Sequence, residues 1–380
     1  MRKKIYYAPF KHESFGHEEI KAVEKSLKDG WLGGFGPYSS EFERKISTYF
    51  GKRYGLFVNS GSSACLLSLA SLNLDPGSEV ITPALTFSTT LAPILQLGYK
   101  PKFIDSGIRT YVPSIDSIIN AVNENTKVIM VPNLIGNKPD WTLLKQKLKE
   151  IGRNDIITIE DSADTITNTP DSDISTTSFY ASHIITAGGM GGMVMFNEEK
   201  YLKRALMFRD WGRIGDNSED IHERFSYDVD GIPYDYKFLY GVLGYNMKCN
   251  EMSAAFGLVQ FERFEEYRHV RRKNIERYIE RLANNKNILL PDDSIKPNWL
   301  AIPLQSEDRL ALLTFLENKN IQTRVTFAGN VTRHPAYRDY LEPFKNADLV
   351  MKNGFLLGAH HGMSTDDVDY VCDQINSFFS

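Results

Sequence analysis

Short β-branched or apolar runs recur through the first half of the chain: YGLFVNS (54–60), EVITPA (79–84), PKFID (101–105), KVIMVPN (127–133), DIITIED (155–161) and GMVMFN (192–197). Between several of them the apolar spacing changes to that of a helix, most clearly in SSACLLSLASLNL (62–74) and SIDSIINAVNEN (114–125). Strands alternating with helices predict an α/β unit built on a largely parallel sheet covered on both faces. Such sheets bind ligands beyond the carboxyl ends of their strands, so the residues just after these runs are the ones to inspect for chemistry.

From about Asn250 the pattern changes. Residues 251–285 form one long amphipathic stretch, followed by a strand-like piece, NWLAIPL (298–304), and a further helical segment, DRLALLTFLENK (308–319). The expectation is a large α/β domain over residues 1–250, including an amino-terminal arm, and a smaller carboxyl-terminal α+β domain over 251–380, joined by the long helix.

Composition narrows the partners. The chain has 380 residues, 42% of them hydrophobic and 24% charged, with a formal net charge of -4, ordinary for a globular protein with a substantial core. Its one dense basic run, Arg268, Arg271, Arg272 and Lys273, is interleaved with glutamates and reads as a solvated helix face, so no nucleic-acid partner is expected. Cys65, Cys249 and Cys372 are too few and too scattered for a disulfide framework or a Cys-x-x-Cys metal site, and no metal is expected. The opening MRKKIYYAPFKHESFG lacks the apolar core of a signal peptide, and no apolar run approaches membrane-spanning length. A cytoplasmic protein without a membrane partner is expected.

Four segments can carry chemistry. NSGSSACLLSL (59–69) opens a helix directly after a strand, either a seat for a phosphate or a simple Ser-capped helix. TIEDSAD (158–164) runs a buried strand into Glu160 and Asp161; a carboxylate there can hold a pyridinium nitrogen protonated, or merely start a helix. TSFYASHIITAGGMGGMVMFN (177–197) leads a hydroxyl-rich strand to His183, then through a glycine-rich turn into another strand. An isolated histidine is more often structural than catalytic. In PALTFSTT (83–90), Phe87 can cover a planar ring or belong to the core.

In this order and at these separations, the four segments resemble the DegT/DnrJ/EryC1/StrS family of sugar aminotransferases and dehydratases over nearly the whole chain. RDWGR (209–213), LGYNMKCNEMSAAFGLVQFERF (243–264) and FAGNVTRHP (327–335) bring the likeness to the 3-dehydratases of nucleotide-linked 4-keto-6-deoxyhexoses. That resemblance implies the aspartate-aminotransferase-like fold, fold type I of pyridoxal-phosphate enzymes, in a homodimer with shared active sites. It implies pyridoxamine phosphate or pyridoxal phosphate as cofactor. Gly61, Ser62 and Ser178 would hold the cofactor phosphate together with Asn246 from the partner subunit, Phe87 would stack on the pyridine ring, Asp161 would pair with the ring nitrogen, and Asp164 would lie near the ring hydroxyl. Arg324 and Arg333 would meet the substrate diphosphate, with a CDP-linked sugar favoured and a GDP-linked one second.

The aminotransferases of the family place a lysine where this chain has His183, and no lysine occurs between Lys149 and Lys200. Imidazole cannot form the covalent link by which a lysine anchors an aldehyde cofactor, but it suits proton transfer near neutrality. The resemblance therefore implies a dehydratase with His183 as acid and base. The CDP-sugar branch carries an iron-sulfur cluster on cysteines near EDxCD-like and post-RDWGR segments; here these read EDSAD and RDWGRIGDNSEDIHERF, so no cluster is expected and regeneration of the cofactor by glutamate is. Cys65 replaces a usual asparagine, the loop between Asp164 and Ser178 is short, and GGMGG (188–192) lacks the usual acidic residue. An aminotransferase, or an inactive binding homologue, are the competing readings.

Overall fold

The apolar runs of the first half become β1 (Tyr54–Val58), β2 (Glu79–Pro83), β3 (Lys100–Ile104), β4 (Thr126–Pro132), β5 (Ile157–Ser162), β6 (Ile174–Ser178) and β7 (Gly192–Phe196). The computed structural model describes residues 3–215 and 218–380. These strands form one seven-stranded sheet in the order β1-β7-β6-β5-β4-β2-β3. Neighbours from β6 through β3 are parallel, and β7 is antiparallel to both β6 and β1. The connections are α1 (His17–Lys28) and α2 (Pro37–Tyr49) ahead of the sheet, then α3 (Gly61–Ala70), α4 (Ser88–Gln96), α5 (Ile115–Ala121), α6 (Trp141–Glu150) and α7 (Glu199–Arg209).

Period-two alternation decides which helix each strand residue meets. Val58, Met130, Ile159 and Val194 pack with Leu67 of α3, Leu91 of α4 and Ala205 of α7, whereas Ile81, Ile129 and Val131 pack with Ile118 of α5 and Leu144 of α6. The same alternation separates the two consecutive acids of β5. Asp161 turns to the α3 and α4 side, where Thr90 reaches it. Glu160 turns the other way, bonded by Thr169 Oγ1 and facing buried Lys52, whose Nζ donates to Ser172 O at 2.6 Å. Burial lowers the Lys52 ammonium to about 8, against the raising effect of the Glu160 charge.

Beyond β7 come α8 (Ile221–Arg224), a hairpin of β8 (Tyr227–Val229) and β9 (Ile232–Tyr234), α9 (Glu251–Glu262), α10 (Phe264–Leu282), β10 (Ile302–Gln305), α11 (Arg309–Asn318), β11 (Thr323–Val325), α12 (Lys345–Asn353), β12 (Gly354–Leu357) and α13 (Thr365–Phe378). The amphipathic stretch 251–285 is two helices, not one: they meet at Arg263, with φ -94° and ψ -1°. α9 packs against α1 and α2, and α10 against α13; one straight helix cannot serve both surfaces. The basic run also divides. Arg271 lies on the buried stripe of α10 with Tyr267, Ile275 and Tyr278, its Nη1 donating to Leu300 O at 2.7 Å, and Arg272 pairs with Asp293 at 2.6 Å. Arg268 and Lys273 are exposed. The expected solvated face thus holds for only part of the run, because helical spacing carries position 271 inward.

β10, β12 and β11 make a second, antiparallel sheet. The amino-terminal residues extend it: Ile5 bridges Ile321 in parallel, its amide donating to Asn320 O at 2.9 Å and its carbonyl accepting from Gln322 N at 2.8 Å. His360 Nε2 holds Tyr6 O at 3.1 Å. Among the described residues, no helix is long and apolar enough to cross a membrane.

Candidate active site

Where β5 and β6 end, a cleft of about 1020 Å³ opens between the large sheet and the β11 edge of the small one. Its floor begins at α3. Ser60 caps the helix, its Oγ accepting from Ser63 N at 3.1 Å, which leaves the amides of Gly61 and Ser62 without intrahelical acceptors. A Cβ on Gly61 would stand 2.7 Å from Ser178 Cβ, and one on Gly192 would stand 2.4 Å from Gly61 N. Glycine at both places lets the start of α3 touch the ends of β6 and β7. The result joins free amides, a helix dipole and the Ser60, Ser62 and Ser178 hydroxyls, a donor set suited to a phosphate.

Asp161 stands deeper, at the end of β5. Thr90 Oγ1 donates to its Oδ2 at 2.7 Å, and Ala163 N donates to its Oδ1 at 3.1 Å. Burial still pushes its carboxyl above the usual range, with these hydrogen bonds opposing. A cationic ring nitrogen beside it would restore the ionised form. Phe87, the residue before α4, is 53% exposed and meets Phe327 edge-on at 6.3 Å between centroids, so its face is free to cover a planar ring.

The loop after β6 delivers His183, whose Nε2 lies 4.0 Å from Asp164 Oδ1 and whose side chain is 18% exposed. Its Nδ1 is buried without a hydrogen-bond partner. Enclosure lowers the imidazole to about 4, the Ser178 backbone opposing and the Arg271 charge adding to the effect, so it is neutral at neutral pH and a weaker base than a free imidazole. Enclosure acts oppositely on Asp164, raising it to about 7 even though Ile135 N donates to its Oδ2. A proton acceptor and a carboxyl that retains its proton to near neutrality thus face one another across the cleft.

A model described as the DegT/DnrJ/EryC1/StrS aminotransferase family matches residues 13–376. The chain belongs to this family. It is 34% identical over 378 residues, covering 90% of this chain and 80% of the relative, to a dTDP-4-dehydro-2,6-dideoxy-D-glucose 3-dehydratase of Saccharopolyspora spinosa. It is 28% identical, with 98% and 99% coverage, to a GDP-perosamine synthase of Escherichia coli O157:H7. Its fold matches that of an E. coli GDP-4-keto-6-deoxy-D-mannose-3-dehydratase with bound hydrated pyridoxal phosphate at a TM-score of 0.85 and 26% identity, covering 98% of this chain and 100% of the other. Like the rest of the DegT/DnrJ/EryC1/StrS family, the chain is a pyridoxal-phosphate-dependent sugar-modifying enzyme with the type I fold, and the cofactor is the pyridoxal or pyridoxamine form.

Of the residues singled out in the sequence, the cleft gathers Gly61, Ser62, Phe87, Asp161, Asp164, Ser178, His183 and Arg324. Arg333 is not brought in. Its guanidinium grips Asp348 through two bonds of 2.5 and 2.7 Å, which turns it away from the cleft wall. Asn246 is exposed, bridging Asp210 by its backbone outside its own chain's cleft. Cys65 sits in the cleft with Sγ 3.5 Å from Thr176 Oγ1; Cys249 and Cys372 are elsewhere, and all three are free. Sequence reasoning missed Thr90, although its place one helical turn after Phe87 signals a shared face. It also missed Tyr7, which lines the cleft from the far end of the chain and carries no local signal.

Proposed function

We propose that the chain is a 3-dehydratase of a nucleotide-linked 4-keto-6-deoxyhexose, using pyridoxamine phosphate regenerated by glutamate. The observation that carries this is the cleft wall itself: among the described residues no lysine lines it, and His183 faces Asp164 there instead. The donor set suits the cofactor. Gly61, Ser62 and Ser178 would hold its phosphate, with Asn246 of a second copy completing the seat in a homodimer; Phe87 would cover the ring, and Asp161 would keep the ring nitrogen protonated. Bound, the cofactor supplies an amine that condenses with the sugar ketone and an electron sink for loss of the neighbouring hydroxyl.

The chain's own residues then divide the proton work. His183, neutral at working pH, takes a proton through Nε2 and returns one to the departing hydroxyl. Asp164 Oδ1 stands 4.0 Å from that nitrogen, beyond direct hydrogen-bond reach, so a proton would pass between them only through a bridging group. Arg324 meets the diphosphate by charge-assisted hydrogen bonds. The 3-hydroxyl would leave as water, the two electrons needed to put hydrogen in its place would come from the amine form of the cofactor, restored at the expense of glutamate, and hydrolysis would release ammonia and a 3-deoxy-4-keto sugar with no external reductase.

The test incubates protein, pyridoxamine phosphate and glutamate with CDP-, GDP- and dTDP-linked 4-keto-6-deoxyhexoses, following sugar mass and ammonia. A sugar lighter by one oxygen atom, its 3-hydroxyl replaced by hydrogen, together with ammonia release supports the proposal, with the CDP sugar expected first. Exchange of ketone for amine without water loss makes the enzyme an aminotransferase. Strict dependence on an added reductase removes the glutamate route.

A further inference from the structure

Residues 5–7 reach the cleft from the small sheet. Ile5 pairs with Ile321 beside β11, His360 holds Tyr6 O, and the Tyr7 amide donates to Gln322 Oε1 at 3.0 Å. This three-point clamp seats Tyr7 in the cleft wall with Asp164, His183 and Arg324. The residue is only 8% exposed, and the Arg324 guanidinium stands 5.8 Å from its ring centroid, within cation–π range.

The hydroxyl is the unusual part. Among the described residues none hydrogen-bonds this hydroxyl, and it is not sealed off with the enclosed unpartnered polar atoms, so it is available to a molecule in the cleft that its residue lines. The charges that bear on it are Asp164, Arg271 and Arg324, two of them cleft-lining. Burial raises the phenol, so it remains a neutral donor at working pH.

We propose that Tyr7 is a substrate-contacting, specificity-determining residue: its hydroxyl hydrogen-bonds the hexose of the sugar nucleotide at the Asp164 and His183 end of the cleft, and its ring seats Arg324. The proposal rests on the sugar-nucleotide substrate class proposed above. It makes the amino-terminal arm part of the site.

The test uses protein loaded with pyridoxal phosphate, whose aldehyde cannot condense with the sugar ketone, as wild type, Tyr7→Phe and Tyr7→Leu. Calorimetry measures binding of the 4-keto sugar nucleotide and of the matching nucleoside diphosphate, with cofactor absorbance and Tm recorded in parallel. Tyr7→Phe keeps the ring and removes one hydrogen bond, so sugar-nucleotide affinity falls about tenfold while nucleoside diphosphate affinity, absorbance and Tm hold. Tyr7→Leu also weakens the nucleoside diphosphate, because Arg324 loses its seat. Among deoxy analogues of the hexose, the one lacking the contacted hydroxyl binds wild type and Tyr7→Phe alike. Equal sugar-nucleotide binding by wild type and Tyr7→Phe overturns the proposal, as does a loss confined to Tm or to the cofactor band. Binding is read separately from turnover, so a wild type that binds the sugar without expelling water defeats the dehydratase reading alone.

Discussion

Exchanging an amine for an imidazole at position 183 changes what the site can retain as well as what it can catalyse. His183→Asn keeps a polar side chain of similar reach but cannot shuttle a proton, so loss of the sugar's 3-oxygen, followed by mass spectrometry, should fall about 100-fold or more while the cofactor absorbance persists. Asp164 makes a second prediction, through pH. Its folded value of about 7 lies above the ordinary 3.8, so the native state binds the extra proton between these values. The stability this confers is full below the unfolded value and is lost as pH rises through about 7. Asparagine keeps the acceptor for Ile135 N without a titrating group. The Tm of Asp164→Asn apoprotein relative to wild type should therefore climb between pH 5 and pH 8; a constant difference across that range would contradict the buried, protonated carboxyl.

At the scale of elements, the contact between α3 and β6 is the sensitive one. Gly61→Ala inserts a carbon 2.7 Å from Ser178 Cβ, and relieving such overpacking costs about 1–3 kcal/mol. Because the strain falls on the phosphate seat, titration with pyridoxal phosphate should show affinity reduced by about tenfold or more, beyond any fall in Tm. These elements were legible in the sequence because strand, turn and helix are contiguous between Tyr54 and Ala70. The same holds for Asp161 and Ser178, each at the end of its own apolar or hydroxyl-rich run. What sequence could not show was decided by packing between distant elements: the break at Arg263, imposed by the separate partners of α9 and α10, and the capture of Arg333 by Asp348, fifteen residues away. Arg271 stood in plain view but was read by its charge, when its helical phase was the better guide.

For the whole molecule, the surface following α7 carries the next prediction. Tyr240 and Leu243 are 60% and 95% exposed, and Trp211 and Tyr245 are also open, an apolar grouping that solvent alone does not favour. It adjoins Asn246, the residue assigned above to the neighbouring copy's phosphate seat. Sedimentation velocity should give the mass of two chains. Leu243→Asp should shift the species to one chain and lower cofactor affinity, whereas a monomeric wild type with full cofactor affinity would remove Asn246 from the site.

The clamp on residues 5–7 has a consequence for how the protein is made. Ile5 pairs beside Ile321, and Tyr6 is held by His360, so the segment synthesised early finds its place only after nearly the whole chain has followed. The large sheet can close once Phe196 is available, and with it the part of the phosphate seat formed by Gly61, Ser62 and Ser178; the partner's share follows once Asn246 is made. A chain stalled after Asn246 but before Ile321, and paired with a second copy, should therefore bind the cofactor while the wall of the cleft around Tyr7 is still unbuilt, which separates in time the acquisition of the cofactor from the acquisition of substrate selectivity.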